Sequence, residues 1–287
     1  MGLIRNILFP VDFSPSSVAM AAYVKRAADI FGARVTLLHV FNPITLSGVE
    51  LLVRTPDEVA EEHLEVARQK LDHFLQAEFP APENRRILAD GDPATQIAQT
   101  ASDGFDAIFI PSHAGNFRRM LLGSTAAKVL DAADCPVATS AHSETIAPRP
   151  LEHREWLCAI GVGEDSERVL RFAHQVTSEA RVNLRIIHAI PSTDPALPIQ
   201  LDLEDQIQSE ERRLVRERIE DLQRKVGSRA SLRIAVGPIK DALLEAARQS
   251  DADALLIGRS PQPGSQGRLR DLTYAVVRDS PIPVMSV

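Results

Sequence analysis

Short apolar, β-branched runs alternate along the chain with longer stretches whose apolar positions recur every three to four residues. In the first half the apolar runs predict strands at about Ile4–Pro10, Arg34–Phe41, Arg85–Ala89, Ala107–Pro111 and Val137–Ser140. The stretches between them, about Ser16–Phe31, Asp57–Ala77, Ala94–Ser102 and Thr125–Ala133, carry the period of amphipathic helices. The second half repeats the alternation, with its longest helix expected near Leu203–Val226. There Leu203, Ile207, Leu214, Ile219, Leu222 and Val226 make one apolar stripe on a charged rod. A stripe this short reads as a solvated helix with i,i+4 ion pairs rather than a coiled-coil seam.

The two halves follow the same script. Asn6–Asp12 (NILFPVD) matches Leu157–Gly163 (LCAIGVG), and Arg34–Phe41 matches Asn183–Ile190. Phe105–Ser112 matches Ala252–Arg259, and Asp134–Ser140 matches Pro281–Val287. The shifts are 151, 149, 147 and 147 residues (157 − 6, 188 − 39, 253 − 106, 283 − 136). A nearly constant shift marks a duplicated domain. The polar stretch Ala141–His153, with two prolines, separates the copies. The expected division is a domain over 1–141, a linker over 142–153 and a domain over 154–287. Apolar strands alternating with helices imply parallel sheets covered on both faces, hence two tandem doubly wound α/β domains. Ligands of such folds sit at the carboxyl ends of strands, where the strand order reverses. The loops after the first and fourth strands are therefore the places to search.

Composition narrows the function classes. The chain has 287 residues, and its formal net charge of −7 disfavours nucleic acid or an anionic membrane as partner. No apolar run approaches the roughly 20 residues of a membrane helix. The start, MGLIRNILFPVDFSP, reads as a strand rather than a signal peptide, and Asn6 does not fit a myristoylation site. The two cysteines, Cys135 and Cys158, read as small core residues in a reducing cytoplasm.

The loop after the first strand holds Pro10, Val11, Asp12, Phe13 and Ser14. Asp12 can accept from a purine amine or a ribose hydroxyl; equally, Asp12 or Ser14 can cap the following helix. The loop after the fourth strand runs from Pro111 through Ser112 and His113 to Gly123-Ser124-Thr125. Ser124 is expected to cap a helix starting at Thr125, leaving N–H groups free for an anion. Arg118 and Arg119 offer phosphate contacts or simply face solvent. His39 and His188 occupy equivalent ends of the second strand in each half, as backbone-bonded histidines rather than a catalytic pair. His63 and His73 are too far apart on one helix for a metal site. Gly161–Ser166 (GVGEDS) lacks the third glycine and the acid of a dinucleotide fingerprint. Nothing assembles a nucleophile, base and orienter.

These residues resemble the universal stress protein family, here as a tandem member. The likeness rests on ILFPVDFSPSS, VTLLHV, GDPATQIAQTASDGFDAIFIPSH and LLGSTAAKVLDAADCPV. It implies five-stranded, adenine-nucleotide α-hydrolase-like domains that pair through their last strands, as a homodimer or within one tandem chain. It also implies ATP or another adenine nucleotide, with Mg, at a Gly-x-x-Gly, nine residues, Gly-Ser/Thr loop plus an aspartate. Asp12, Gly123 and Ser124 match, and Val40 matches the adenine-side apolar position. Pro111 and Ala114 stand at the two loop glycines, with eight residues rather than nine before Gly123; Gly115 offers partial compensation. Pro111 has no N–H, and Ala114 resists φ > 0.

A weakened pocket in the first half follows. In the second half Gly163 is read opposite Asp12, and Leu272-Thr273 opposite Gly123-Ser124. Gly258 keeps the first loop glycine and Pro261 takes the second, so no ATP is expected there. The resemblance implies a non-catalytic stress-response regulator with unidentified protein partners. A nucleotide-independent scaffold and a weak ATPase are the alternatives.

Overall fold

A computed structural model describes residues 2–41, 56–112, 122–140, 155–191, 200–201, 209–259 and 268–287. The expected linker, 142–153, lies outside them. Contacts divide the chain into two compact units, one built mainly from each half.

In the first half of the chain the elements are β1 (Asn6–Pro10), α1 (Pro15–Phe31), β2 (Arg34–Phe41), α2 (Pro56–His73), β3 (Arg85–Asp90), α3 (Pro93–Ser102), β4 (Ala107–Pro111), α4 (Ser124–Ala132) and β5 (Val137–Ser140). The strand order is β3-β2-β1-β4-β5. β1 pairs in parallel with β2 on one side and β4 on the other, Ile7 lying between Val35 and Ala107. Consecutive residues Ile7, Leu8 and Phe9 are all fully buried, so both faces of the sheet are covered.

Local chemistry sets the helix ends. Ser14 caps α1 by accepting the Ser17 N–H, with Pro15 at the first helical turn, and Gly32 ends α1 at φ 59°. α2 stops at His73, short of the expected Ala77, because Leu75 turns the chain at φ 51°. The Arg86 guanidinium collects the carbonyls released there, donating to Leu71 O (2.9 Å), Phe74 O (3.2 Å) and Phe79 O (3.0 Å). Burial holds its pKa below the usual arginine value, with Asp72 acting the other way.

The second unit comprises β6 (Glu155–Ala159), α5 (Ser166–Ala180), β7 (Asn183–Pro191), β8 (Gln200–Leu201), α6 (Ser209–Val226), β9 (Ser231–Gly237), α7 (Ile239–Gln249), β10 (Ala254–Ile257), α8 (Arg268–Asp279) and β11 (Val284–Ser286). Its order is β11-β10-β6-β7-β9-β8. The two-residue β8 is an addition to the expected five strands and runs antiparallel to β9. Within α6 the apolar stripe differs from expectation. Leu214 is exposed, and Val215 instead packs on Ile190, Ile234 and Val236. The helical period explains this: Val215 lies about 40° from Ile219 around the axis, Leu214 about 140°. Leu203 and Ile207 lie outside the described residues. Cys158 is fully buried, which pushes its thiol up to about 12 and makes it the core residue expected.

Hydrogen bonds align the two halves more sharply than the letters do. Val11 N–H donates to Leu38 O, and Ile160 N–H to Ile187 O, a shift of 149 at both ends (160 − 11, 187 − 38). The first strands are thus offset by 149 residues, not 151. Ile108 N–H to Pro136 O matches Leu255 N–H to Pro283 O at a shift of 147 (255 − 108, 283 − 136).

A histidine staple is duplicated in the same register. His39 Nδ1 lies 2.8 Å from Val11 O, and His188 Nδ1 2.8 Å from Ile160 O. A carbonyl only accepts, so Nδ1 carries the hydrogen in both rings. Each ring ties the end of one strand to the chain leaving its neighbour, as backbone-bonded histidines should.

Burial holds both imidazoles below the ordinary histidine value of 6.5, against the opposing pull of the carbonyls and of Asp12 or Glu211. The unfolded chain therefore binds protons first as pH falls. Stability is full above pH 6.5 and is lost as pH drops through that value toward the folded pKa. His188→Asn keeps an amide donor for Ile160 O and cannot protonate. Its urea midpoint should fall less than that of the unaltered protein between about pH 7.5 and 5.5. An equal fall in both would count against the staple's role.

Candidate functional site

In the first unit the winding reverses between β1 and β4, and a cleft of about 160 Å³ opens at the carboxyl ends of the strands. Pro10, Val11, Leu38, Val40, Ile97 and Ile110 give it an apolar lining. Its polar lining comes from Asp12 in the loop after β1 and from Gly123, Ser124 and Thr125 at the start of α4. α3 reaches the cleft because Asp92 caps it, accepting Thr95 N–H (3.0 Å), and Pro93 opens its first turn. Lys128 of α4 pairs with Asp92 at 3.5 Å and ties the two helix starts together.

Asp12 is exposed, but one of its oxygens is already engaged. Oδ1 accepts Ser14 N–H at 3.0 Å and Ser17 Oγ–H at 2.7 Å. Burial by the surrounding protein pushes the carboxyl pKa up, but donation from Ser14 and Ser17 outweighs it, and the net shift is downward. Asp12 is therefore ionised at neutral pH. The Ser14 hydroxyl adds a further stabilising donor to the same carboxylate. The cap of α1 belongs to Ser14, which leaves Asp12 able to accept from a ligand.

α4 differs from expectation in one respect. It begins at Ser124, and its cap is Gly123, at φ −60° and ψ 140°, with no side-chain capping bond. The Gly123 N–H is drawn to Ser112 O at 2.8 Å, which fixes the cap one residue early. The first internal bond runs from Ala127 N–H to Gly123 O. The N–H groups of Ser124, Thr125 and Ala126 thus have no acceptor among the described residues. They carry the partial positive charge of the helix start.

Beside Asp12, Phe13 sits in the left-handed region at φ 61°, a conformation rare for a bulky residue. Its ring lies 4.2 Å from the His39 ring and 5.1 Å, edge-on, from Phe74, with Lys70 Nζ 4.5 Å from its centre. These contacts tie the loop after β1 to the last turn of α2 and the residues just beyond it.

Of the expected site residues, Pro10, Asp12, Val40, Pro111, Gly123, Ser124 and Thr125 meet at this cleft. Ser112 does not: it is fully buried, its hydroxyl has no partner among the described residues, and it is not part of the lining. Its carbonyl acts instead, on Gly123. His113, Ala114, Gly115, Arg118 and Arg119 lie outside the described residues. Ser17, Pro93 and Ile97 were not anticipated. Asp92-Pro93 is a readable helix start, but no local signal says which helix reaches the cleft.

The second unit is built differently at each corresponding point. At the hydrogen-bonded shift of 149, Gly161 rather than Gly163 stands opposite Asp12. At the shift of 147, Arg270-Asp271 rather than Leu272-Thr273 stands opposite Gly123-Ser124. Thr273 is instead the buried counterpart of Ala126. α8 starts at Arg268, three residues before that point (271 − 268), so the helix start is displaced. Gly258, opposite Pro111, has a packing reason: a Cβ there would lie 2.9 Å from Val169 Cγ2 of α5. Arg168 Nη2 donates to Arg259 O (3.1 Å) and Val287 O (3.3 Å), binding the ends of β10 and β11 with a side chain. Pro261 lies outside the described residues.

The family model described as "Universal stress protein family" matches residues 3–140 and again 154–287. A Mycolicibacterium smegmatis universal stress protein is 25% identical over a 297-residue alignment, covering 98% of this chain and 96% of that one. A Thermus aquaticus protein, "Universal stress protein in QAH/OAS sulfhydrylase 3'region", is 29% identical over 144 residues, 47% of this chain and 97% of its own. A universal stress protein crystal structure from Archaeoglobus fulgidus superposes with a TM-score of 0.66 at 20% identity, covering 99% of this chain and 97% of that one. At that identity it bears on the fold alone.

Removing the arginine strap should loosen the second unit only. Arg168→Ala leaves two carbonyls without their donor and is expected to cost about 1 kcal/mol. Amide exchange should rise around Arg259 and Val287 while the first unit's exchange stays unchanged. Unchanged exchange at both carbonyl ends would show that the strap carries no weight.

Proposed function

The chain belongs to the universal stress protein family in both halves, and from that premise we propose that it is a cytoplasmic, non-catalytic regulator whose first unit alone takes an adenine nucleotide, weakly. The polarised cleft carries this reading: an ionised acceptor at Asp12, an apolar lining, and unpaired N–H groups at the start of α4. An adenine nucleotide has the matching parts. Its base suits the apolar lining, a ribose hydroxyl donates to Asp12, and its phosphates suit the helix start. Mg²⁺ would arrive with the phosphates, since no cluster of three His, Cys, Asp or Glu occurs among the described residues.

Pro111 supports weak rather than tight binding. It lines the cleft but offers no N–H and fixes its own φ. The Phe13 contacts to Phe74 and Lys70 support α2 as the element that shifts with occupancy. A protein partner, a second copy included, would read that shift. The second unit's own strap at Arg168 favours one further reading there, a nucleotide-independent scaffold.

Isothermal titration with ATP, ADP, AMP and cyclic AMP tests the proposal. Binding in the micromolar to millimolar range is expected with at least one of them. Asp12→Ala should weaken it about tenfold, the loss of one hydrogen bond to a charged group. Pro111→Gly, which restores an N–H, should tighten it several-fold. Silence with all four nucleotides would overturn the reading.

A further inference from the structure

Ser17 is the third helical residue of α1 and is almost fully buried, at 1% exposure. Its hydroxyl makes two bonds to one residue. It accepts Asp12 N–H at 3.3 Å and donates to Asp12 Oδ1 at 2.7 Å. The Ser17 N–H in turn donates to Ser14 Oγ at 3.2 Å, and Ser14 N–H donates to the same Oδ1 at 3.0 Å. One oxygen of the carboxylate is thus held from two sides. We infer that Ser17 is a positioning residue: by holding Oδ1 it fixes the orientation in which the Asp12 carboxylate meets a ligand hydroxyl.

The inference rests on the nucleotide reading of the cleft. A carboxylate with both oxygens free can turn to meet a donor, and that freedom is lost on binding. A carboxylate pinned through Oδ1 has lost it already, so its contact with a ligand forms with less entropic cost. The second unit supplies an internal comparison. Ser166 stands at the position of Ser17 and is equally buried, at 5% exposure, yet Gly161 leaves it no carboxylate to hold. Burial of this serine in the fold therefore does not depend on the acid, and removing its hydroxyl should leave the helix in place.

The test uses the full chain and the nucleotide that binds best. Ser17→Ala should weaken binding about three- to tenfold, and Ser17→Thr, which keeps a hydroxyl, should restore most of it. The acid limb of the affinity profile should move to higher pH in Ser17→Ala, because the serine's donation helps keep Asp12 ionised. In an Asp12→Ala background the serine change should have no further effect. Ser166→Ala should match the unaltered protein throughout. Affinity and acid limb unchanged in Ser17→Ala would overturn the inference alone, as would an equal loss without Asp12. An unaltered protein that binds none of the four nucleotides would overturn the nucleotide reading first, and this inference with it.

Discussion

Parallel strands cannot be joined by a hairpin, and the consequences of that constraint run through the first unit. Each strand must be reached by a crossover, and the chain winds first to one side of β1, through β2 and β3, and then to the other, through β4 and β5. Where the winding reverses, the connections leave β1 and β4 in different directions, and the carboxyl ends of those strands stay uncovered. The apolar register keeps those ends level: Ile7 lies beside both Val35 and Ala107, so Pro10, Leu38 and Pro111 finish near one edge. Asp12 and the start of α4 owe their shared cleft to this arrangement rather than to any direct contact between them.

Much of this was legible because burial on both faces writes long apolar runs into a sequence. β2, β4 and β5 stand where their runs predicted, and α1 and α3 begin within a residue of expectation. The misreadings have specific physical sources. Matching letters placed Gly163 opposite Asp12, because PVD resembles GVG; the ladder of hydrogen bonds places Gly161 there. Ser124 carries the side chain that favours a cap, but the pull of Ser112 O on Gly123 N–H decided the position. Leu214 belongs to the right helix and the wrong face. The end of α2 depends on Arg86, thirteen residues beyond His73 (86 − 73), and no local pattern records such a contact. The site was half legible for the same reason. Its strand-end residues follow from topology, whereas Ser17, Pro93 and Ile97 join it through loop geometry and helix packing.

The two units show which features answer to the fold and which do not. The histidine staple survives in both at the same spacing and the same 2.8 Å distance, whether or not an acid stands beside it as Asp12 stands beside His39. A bond kept in both units has a reason common to both, namely holding the strand ends together. The acid, by contrast, is present once. Where it is missing, α8 is extended backward, Val169 leaves no room for a Cβ at Gly258, and Arg168 donates to the carbonyls of Arg259 and Val287. At the carbonyl where the first unit uses the Gly123 N–H, on Ser112, the second uses the Arg168 side chain, on Arg259.

On the nucleotide reading proposed above, an acidic chain with a carboxylate in its cleft must host an anion, and distance and orientation are what would allow it. The net charge of −7 acts over long range, and physiological salt screens it beyond about 8 Å. Close in, the Asp12 charge is directed, because Ser14 and Ser17 hold the carboxylate through Oδ1. The N–H groups opening α4 are directed too, and their partial charge falls off within the first turn. The lining therefore favours a molecule that brings a donor to one part of the cleft and negative charge to another. A bare phosphate satisfies α4 but gives Asp12 nothing to accept, and a nucleoside satisfies Asp12 but leaves the helix start unpaired. Only a ligand carrying both, joined through an apolar body, answers the whole cleft at once.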